Sequence, residues 1–344
     1  MKIRYLKIHT SIFAICMAKH IVDTRQLKDR RFLEGLFSRA DDLRANVNAY
    51  SKTHEGKIVL SLFFQPSTRT KMTFDAAAKK LGAQVIGTEN AREFSSVYKG
   101  ETLEHSLLAI HDCFDLVVMR HHENGAAKRA AAVLDKPLIN AGDGTNQHPT
   151  QALLDLYTLR QAFGRIEGLK IAFLGDAAQG RTIRSLAYLL ANLKDNKLVF
   201  ICPEELGLGE DMKSYLKEKK AGYEEMEDFE DAIADIDALY VTRLQWEYAK
   251  DEELKNRLME IYKRFQVTSS IADRMKENSI IMHPLPINTE KSEGFPEITQ
   301  DVDKNPRAWY FRQSNNGLYV RMSLLDILLS GEEDELYNLI LDVP

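Results

Sequence analysis

The chain has 344 residues, of which 44% are hydrophobic and 28% charged, proportions typical of a globular chain with room for two domains. Its formal net charge of −5 excludes an overall basic field for nucleic acid, so any anion must bind at a local cluster of cations. No apolar run reaches the length of a membrane span. We therefore expect small-molecule substrates, with neither nucleic acid nor a membrane as a partner.

The cysteines indicate the compartment. Cys16, Cys113 and Cys202 are widely separated and form no Cys-x-x-Cys pair, which argues against a disulfide framework and against a zinc site. Each is expected to be a small buried hydrophobe, and no metal or cofactor is predicted. The apolar stretch from Ser11 to Met17 is too short for the core of a signal peptide. We expect a cytoplasmic protein, with residues 1–16 as an extension ahead of a second start codon at Met17.

The first half of the chain alternates helices and strands. A largely helical region at 20–47 places Leu33, Leu36, Phe37 and Leu43 on one face. Strands are predicted at 57–64, 83–88, 116–119 and 137–141, and helices at 71–81, 101–113, 125–134 and 150–163. The polar stretch at 91–100 is predicted to be a loop. This alternation indicates a mostly parallel sheet.

A second alternating unit begins at 168–175. Further strands are predicted at 198–202, 238–242 and 279–282. Three helices are predicted: one that ends near residue 193, one at 210–220 and one at 318–329. We therefore predict an α/β fold with two doubly wound parallel-sheet domains and the active site in the cleft between them. The first domain is placed at residues 1–152, completed by a C-terminal helix within 305–344, and the second at residues 153–304.

The stretch from Lys57 to Leu81 organises the chain. An apolar strand runs into Gln65-Pro-Ser-Thr-Arg-Thr70 and then into an amphipathic helix. The first turn of that helix therefore holds hydroxyls and the guanidinium of Arg69, beside unpaired N–H groups with partial positive charge. Phosphate suits all of these donors. The alternative is an ordinary helix capped by Ser67 or Thr68, with solvated cations.

Other polar residues also follow strands of the predicted sheets. They are Arg120, His148, Arg181, Arg243 and His283. Parallel sheets bind ligands beyond the carboxyl ends of their strands, so two facing sheets would bring these residues into one cleft. Histidines in loops are more often structural, and His283 is expected to be so. Gly175 to Thr182 also resembles a P-loop with arginine in place of lysine, which leaves a nucleotide hydrolase as an alternative.

Several motifs, in order, resemble those of the aspartate/ornithine carbamoyltransferase family. They are Phe64-Gln-Pro-Ser-Thr-Arg-Thr70, Met119-Arg-His121, the stretch from Ala141 to Leu156 with its His148-Pro-Thr-Gln151, Asp176 to Thr182, His283-Pro-Leu-Pro286 and Asp301 to Phe311. Together they span residues from about 20 to 329. The resemblance implies transfer of the carbamoyl group of carbamoyl phosphate to an amine, with release of phosphate.

The resemblance also points to the acceptor. Ornithine-type members carry His-Cys-Leu-Pro and a Ser-Met-Gly loop, whereas this chain has Pro284 and Thr242-Arg-Leu-Gln245. A guanidinium at Arg243 suits a carboxylate and repels an ammonium. L-Aspartate is therefore the expected acceptor, giving N-carbamoyl-L-aspartate in pyrimidine biosynthesis. The alternatives are a different amino acid or amine, and a homologue without activity, against which the set of cations argues.

The resemblance assigns roles to individual residues. The carbamoyl-phosphate set is Ser67, Thr68, Arg69, Thr70 and Arg120 for the phosphate, His148 and Gln151 for the carbamoyl group, and Ser95 and Lys99 from a neighbouring subunit. The aspartate set is Arg181 for the α-carboxylate, Arg243 and Gln245 for the side-chain carboxylate, and backbone carbonyls near Pro284 and Leu285 for the attacking amine and the carbamoyl nitrogen. Arg69, Thr70, Lys99 and His148 form the catalytic set. Because residues of a neighbouring subunit take part in each site, the resemblance implies a homotrimer. It leaves open whether regulatory chains attach.

Three positions depart from the family pattern. Gln65 replaces an acid, His122 replaces a proline, and Ile287 replaces the arginine that usually follows His-Pro-Leu-Pro. Residues 288–296 resemble an insertion. The cation that the family has at this position is expected either to have no counterpart in this chain or to be supplied by another residue, with Lys291 as a candidate.

Overall fold

The computed structural model describes residues 18–94, 100–227, 229–243, 263–289 and 296–343, together with residues 253, 256, 257 and 260. The predictions made for the N-terminal extension with Cys16, and for Ser95, Lys99, Gln245 and Lys291, lie outside the described residues.

The first half of the chain forms a four-stranded parallel sheet. Its strands are β1 (Ile58–Phe63), β2 (Gln84–Thr88), β3 (Leu116–His121) and β4 (Leu138–Asp143), in the order β2-β1-β3-β4. The helices are α1 (Arg30–Ala45), α2 (Thr68–Lys80), α3 (Ala91–Phe94), α4 (Leu103–Ala109), α5 (Ala126–Ala131) and α6 (Pro149–Phe163). Strands β3 and β4 are buried along their whole length, as expected when helices cover both faces of a parallel sheet.

The second half forms a five-stranded parallel sheet. Its strands are β5 (Lys170–Leu174), β6 (Lys197–Ile201), β7 (Gly222–Met226), β8 (Ala238–Val241) and β9 (Ile280–Met282), in the order β7-β6-β5-β8-β9. Helices α7 (Arg181–Leu190), α8 (Glu210–Glu218), α9 (Phe229–Ile233) and α10 (Ser269–Arg274) accompany it. The two parallel sheets confirm the predicted α/β class.

Two helices join the halves. Helix α6 follows the first sheet, packs against α7 of the second half, and is buried on all sides from Pro149 to Leu159. The last helix, α11 (Tyr310–Ser330), returns to pack against α1, α2 and α6. A hydrogen bond of 2.9 Å from the Ser323 hydroxyl to the Leu36 carbonyl fixes it there. The residue boundaries given for the two domains stay a prediction, since α6 crosses position 152.

Several local predictions were wrong. Strand β7 and helices α9 and α10 were missed, because β7 lies at a sheet edge with exposed acidic residues and the two helices have five and six residues. Residues 91–94 are helical rather than loop, and α11 begins eight residues before the predicted position 318. Cys113 is exposed, whereas Cys202 is buried as expected. Among the described helices, none is long and apolar enough to cross a membrane.

Candidate functional site

A cleft of about 320 Å³ lies where the carboxyl ends of both sheets meet. The structure brings together in its wall eleven residues that were predicted from the sequence: Ser67, Thr68, Arg69, Thr70, Arg120, His148, Gln151, Arg181, Arg243, Pro284 and Leu285. They come from the turn after β1, the end of β3, the starts of α6 and α7, and the segments after β8 and β9. The ends of separate strands therefore converge on one space, as open parallel sheets generally arrange.

The first wall is the N-terminus of α2. Ser67 is the N-cap residue, but its side chain makes no capping hydrogen bond, so the simple capping alternative does not account for this hydroxyl. Lys71 is paired with Asp75 one turn along the helix at 2.6 Å. Arg69 has no acidic partner among the described residues, and desolvation lowers its pKa. This end of α2 therefore presents positive charge that an anion would offset.

Arg120 forms the back of the cleft at the end of β3. One of its terminal nitrogens, Nη1, donates to the Ala141 carbonyl at 3.1 Å, while its Nε is buried without a partner among the described residues. Burial, and then the charges of Arg181 and Arg69, hold its pKa well below the usual range. A buried cation repelled by two others is unfavourable by itself. The arrangement therefore favours the binding of an anion in the cleft.

Gly142 is the point around which three of these side chains close. A Cβ atom built on it would lie 2.9 Å from Arg120 Nη1, 3.4 Å from His148 Cδ2 and 3.5 Å from Arg181 Cζ. Its φ of +115° also lies in a region that other residues rarely adopt. Arg181 is anchored nearby, with Nη1 donating to the Gly144 carbonyl at 2.6 Å. The absence of a side chain at Gly142 thus lets two guanidinium groups and an imidazole meet.

His148 is held as a neutral imidazole. It is the N-cap residue of α6, and its backbone N–H donates to the Ser185 hydroxyl at 2.8 Å. Burial, followed by the charges of Arg181, Arg120 and Arg321, lowers the pKa of His148 well below its usual value. Its Nδ1 lies 3.5 Å from the Thr150 hydroxyl, a group that can donate or accept and so fits either neutral tautomer of the ring. A neutral histidine here can donate a hydrogen bond without adding charge.

Arg321 is a cleft residue that the sequence prediction missed. It lies on α11 with only 4% of its surface exposed, and burial lowers its pKa to about 10. It donates to the Thr73 hydroxyl, which donates to the Arg69 carbonyl at 2.6 Å, so α11 supports the first turn of α2. A single arginine inside the apolar run at 318–329 was the available signal, because a charge is rarely buried without a partner.

The segment after β9 closes the cleft. His283 is buried, with Nε2 2.8 Å from Glu297 Oε1, while its Nδ1 accepts from the Leu285 N–H at 2.7 Å. That bond stabilises Leu285 in the left-handed region, at a φ of +59°. His283 thus shapes the backbone, in keeping with its predicted structural role. Ile287 packs against the core of the second sheet, so this position supplies no cation.

The cleft is strongly cationic. Arg69, Arg120, Arg181, Arg243 and Arg321 all line it, whereas none of the described lining residues is an aspartate or a glutamate. Guanidinium groups bind phosphate and carboxylate through paired hydrogen bonds. The site is therefore built for more than one anionic group.

A possible metal cluster lies beside the cleft rather than in it. His121, His122 and Glu123 have ligand atoms within 4.8 Å of one another. The two imidazole rings are stacked, with planes 18° apart, so their in-plane lone pairs cannot point at one common ion. Glu123 is paired with Arg129 at 2.9 Å, and His121 Nδ1 already accepts from the Glu123 N–H. This geometry is unfavourable for a shared metal ion.

The chain matches two family models. Residues 19–161 match the carbamoyl-P binding domain of aspartate/ornithine carbamoyltransferase, and residues 167–328 match its Asp/Orn binding domain.

Individual relatives agree. Aspartate carbamoyltransferase 3, chloroplastic, from Pisum sativum is 43% identical over 318 residues, which cover 90% of this chain and 78% of that protein. The aspartate carbamoyltransferase catalytic subunit of Thermococcus onnurineus is 42% identical over 302 residues, covering 88% of this chain and 93% of that protein. The solved catalytic subunit of M. jannaschii aspartate transcarbamoylase superposes with a TM-score of 0.82 at 39% identity, over 92% of this chain and all of the other.

The first prediction concerns Gly142. In Gly142→Ala the new methyl group must displace Arg120 or His148, so we expect the affinity for inorganic phosphate to fall about tenfold or more, as for the loss of a charged hydrogen bond. Calorimetric titration with phosphate measures this. Gly164→Ala is the matched control, because Gly164 also has a positive φ, +67°, but no atom lies within 4 Å of its Cβ position. Equal loss of phosphate affinity in both variants would contradict the role of Gly142.

Proposed function

The chain belongs to the aspartate/ornithine carbamoyltransferase family, and we propose that the cleft between its two sheets is where carbamoyl phosphate and L-aspartate react. The enzyme transfers the carbamoyl group of carbamoyl phosphate to the amino group of L-aspartate, giving N-carbamoyl-L-aspartate and phosphate. One observation above all supports the location: Arg120, His148 and Arg181 converge on Gly142 beside the N-terminus of α2. With this activity assigned, the P-loop interpretation of Gly175 to Thr182 and the nucleotide hydrolase that it implied are no longer needed.

The phosphate of carbamoyl phosphate binds at the start of α2. Ser67, Thr68 and Thr70 offer hydroxyl and backbone donors, and Arg69 and Arg120 offer guanidinium groups. The support for this placement is the uncompensated charge of Arg120, whose pKa is lowered by burial and by its cationic neighbours. A bound dianion turns that repulsion into attraction, so substrate binding stabilises the arrangement.

The carbamoyl group lies between His148 and Gln151 at the start of α6. Neutral His148 donates to the carbonyl oxygen, and Gln151 addresses the amino group. The aspartate amine attacks the carbonyl carbon and a C–N bond forms. The tetrahedral oxyanion then collapses, the bond between carbon and the bridging oxygen breaks, and phosphate leaves. The amine proton passes to a phosphate oxygen, so no protein base is needed.

Aspartate binds on the second-sheet side of the cleft. Arg181 takes its α-carboxylate, and Arg243 with Gln245 takes the side-chain carboxylate. The backbone carbonyls of Pro284 and Leu285 accept hydrogen bonds from the attacking amine and from the carbamoyl nitrogen. The described members of this set line the same cleft as the phosphate set, so both substrates meet within it.

Ser95 and Lys99 complete the site from a neighbouring copy of the chain, so the assembly is a homotrimer with shared sites. The family membership supports this proposal. A cytoplasmic location is proposed on the separation of the three cysteines; the Pisum sativum relatives are named as chloroplastic.

The acceptor prediction rests on Arg243. Among aspartate, ornithine, an N-acylated ornithine and putrescine, only aspartate should be carbamoylated efficiently. In Arg243→Ala the KM for aspartate should rise about 10- to 100-fold, as for a lost charge-assisted hydrogen bond, with the KM for carbamoyl phosphate nearly unchanged. Steady-state kinetics for both substrates give the answer. The control is Arg312→Ala, an arginine stacked on Trp309 outside the cleft. An unchanged aspartate KM in Arg243→Ala would contradict the assignment.

His148 is tested by its effect on the chemical step. In His148→Ala, kcat should fall about 10²- to 10³-fold, as when one donor to an oxyanion is removed. The ratio of the wild-type to the variant kcat should be the same at pH 6 and pH 8, because the lowered pKa keeps His148 neutral at both. His54→Ala removes another buried histidine, paired with Asp326 at 2.8 Å, and should cost stability but not kcat. A ratio that differs clearly between pH 6 and pH 8 would show that His148 titrates in this range instead of staying neutral.

Sharing of sites is tested with mixed trimers. Arg69→Ala and Lys99→Ala chains should each be inactive, because each site then lacks one phosphate-binding cation. After dissociation and reassembly of a 1:1 mixture, about one quarter of the sites should combine an intact Arg69 with an intact Lys99 from the neighbour, as cyclic symmetry requires. Recovered activity near that fraction supports sharing. Mixed trimers of normal size without any activity would show that each chain forms its own complete site.

A further inference from the structure

Asp155 lies one helical turn after Gln151 on α6, beneath the cleft rather than in its wall. Its side chain is completely buried and accepts three hydrogen bonds. The donors are Gln151 Nε2 at 2.9 Å, Gln313 Nε2 at 2.6 Å and the Tyr240 hydroxyl at 2.8 Å. No step of the reaction described above uses this carboxylate, although a buried acid is costly unless its acceptor positions are filled.

The three donors belong to separate parts of the fold. Gln151 is on α6, Gln313 on α11, and Tyr240 on β8 of the second sheet. The amide oxygen of Gln313 accepts from the His283 N–H at 2.8 Å, where the segment that closes the cleft begins. One carboxylate therefore links both substrate sides of the site through hydrogen bonds from uncharged donors.

The chemistry of a carboxylate fixes which end of each amide faces it. Both glutamines donate to the same oxygen, Oδ1, which only accepts hydrogen bonds whether the carboxyl is ionised or carries a proton on Oδ2, so both turn their NH₂ groups towards Asp155. The oxygen of Gln313 is then directed at the backbone N–H of His283. The oxygen of Gln151, which lines the cleft, is left to accept a hydrogen bond there. If Gln151 were reversed, the cleft would meet a second donor instead.

We infer that Asp155 is a positioning residue, which holds the Gln151 amide with its oxygen towards the cleft so that the site recognises the NH₂ of the carbamoyl group. This inference rests on the proposed role of Gln151. It makes Asp155 a determinant of the choice between a carbamoyl group and an acyl group of the same shape, since a methyl group in place of NH₂ offers that oxygen nothing.

Two opposing effects act on the pKa of Asp155. Burial raises its pKa to about 7, whereas the three donors and the charge of Arg321 on α11 lower it. Hydrogen-bond geometry, rather than charge, is nevertheless the inferred source of the effect. An asparagine can reproduce that geometry, because its oxygen can accept from both glutamines while its NH₂ donates to Tyr240. A tyrosine hydroxyl can accept as well as donate, and the Tyr240 hydroxyl is also bonded to Thr182.

The test compares two competitive inhibitors against carbamoyl phosphate in the whole enzyme. Phosphonoacetamide carries the NH₂ group, and acetyl phosphate has a methyl group in its place. In Asp155→Ala a water fills the space, and because water donates and accepts alike, nothing fixes Gln151. The inhibition constant for phosphonoacetamide should then rise about threefold to tenfold, as for one hydrogen bond, with that for acetyl phosphate nearly unchanged. Asp155→Asn should preserve the wild-type discrimination.

Each outcome decides a point. If Asp155→Asn loses discrimination as Asp155→Ala does, the buried charge matters and the inference fails. It also fails if both inhibitors bind equally more weakly to Asp155→Ala.

The variant Gln151→Met separates the inference from the proposed function. Unchanged discrimination in Gln151→Met overturns the role of Gln151 itself, whereas loss there but not in Asp155→Ala overturns only the role of Asp155. If Asp155→Ala does not fold, Asp155→Ser replaces it, since a hydroxyl also donates and accepts.

Discussion

Mutual repulsion among arginines is the constraint on which this site depends. Five guanidinium groups line a cleft of about 320 Å³ without an acidic residue among its described lining residues. Burial of Arg120 beside Arg69 and Arg181 disfavours its charged form, as its lowered pKa shows. The free protein therefore holds an unfavourable electrostatic arrangement that its anionic substrates relieve. Binding energy from the phosphate and the two aspartate carboxylates can offset this repulsion and bring the reacting groups together.

The fold holds two of these cations through neutral backbone acceptors. Arg120 and Arg181 donate to the backbone carbonyls of Ala141 and Gly144, which fix their direction but carry no net charge. Asp143 lies in the same turn, yet its oxygens accept from the N–H groups of Gly125 and Gln147 and from nearby amides. A carboxylate paired directly with Arg120 would have competed with the substrate, and no described residue supplies one. Neutral acceptors keep the positive charge available to it.

The sequence predicted those parts of the fold and site that depend on local pattern. The strand, turn and helix around Arg69 follow from an apolar run, a proline and helical spacing, and both parallel sheets follow from the alternation of elements. Strand β7 could not be found in this way, because its exposed Glu224 and Glu225 hide the alternation. The contact of Asp155 with Gln313 joins residues 158 positions apart, and no spacing rule connects them. Gln313 and Arg321, two cleft residues that were missed, are both held by such long-range hydrogen bonds.

Asp155 shows how an acid can lie close to this cation cluster without cancelling it. Its lone pairs are occupied by two amides and a phenol, so its influence reaches the cleft as the orientation of Gln151 rather than as an ion pair. The same carboxylate contacts the second sheet through Tyr240 and the closing segment through Gln313 and His283. A shift between the two sheets would therefore disturb the carbamoyl and aspartate sides together. In this site, different residues control the positive charge and the direction of the hydrogen bonds. The fold needs both, because the substrates carry negative charge, whereas the bond that breaks joins two atoms without formal charge.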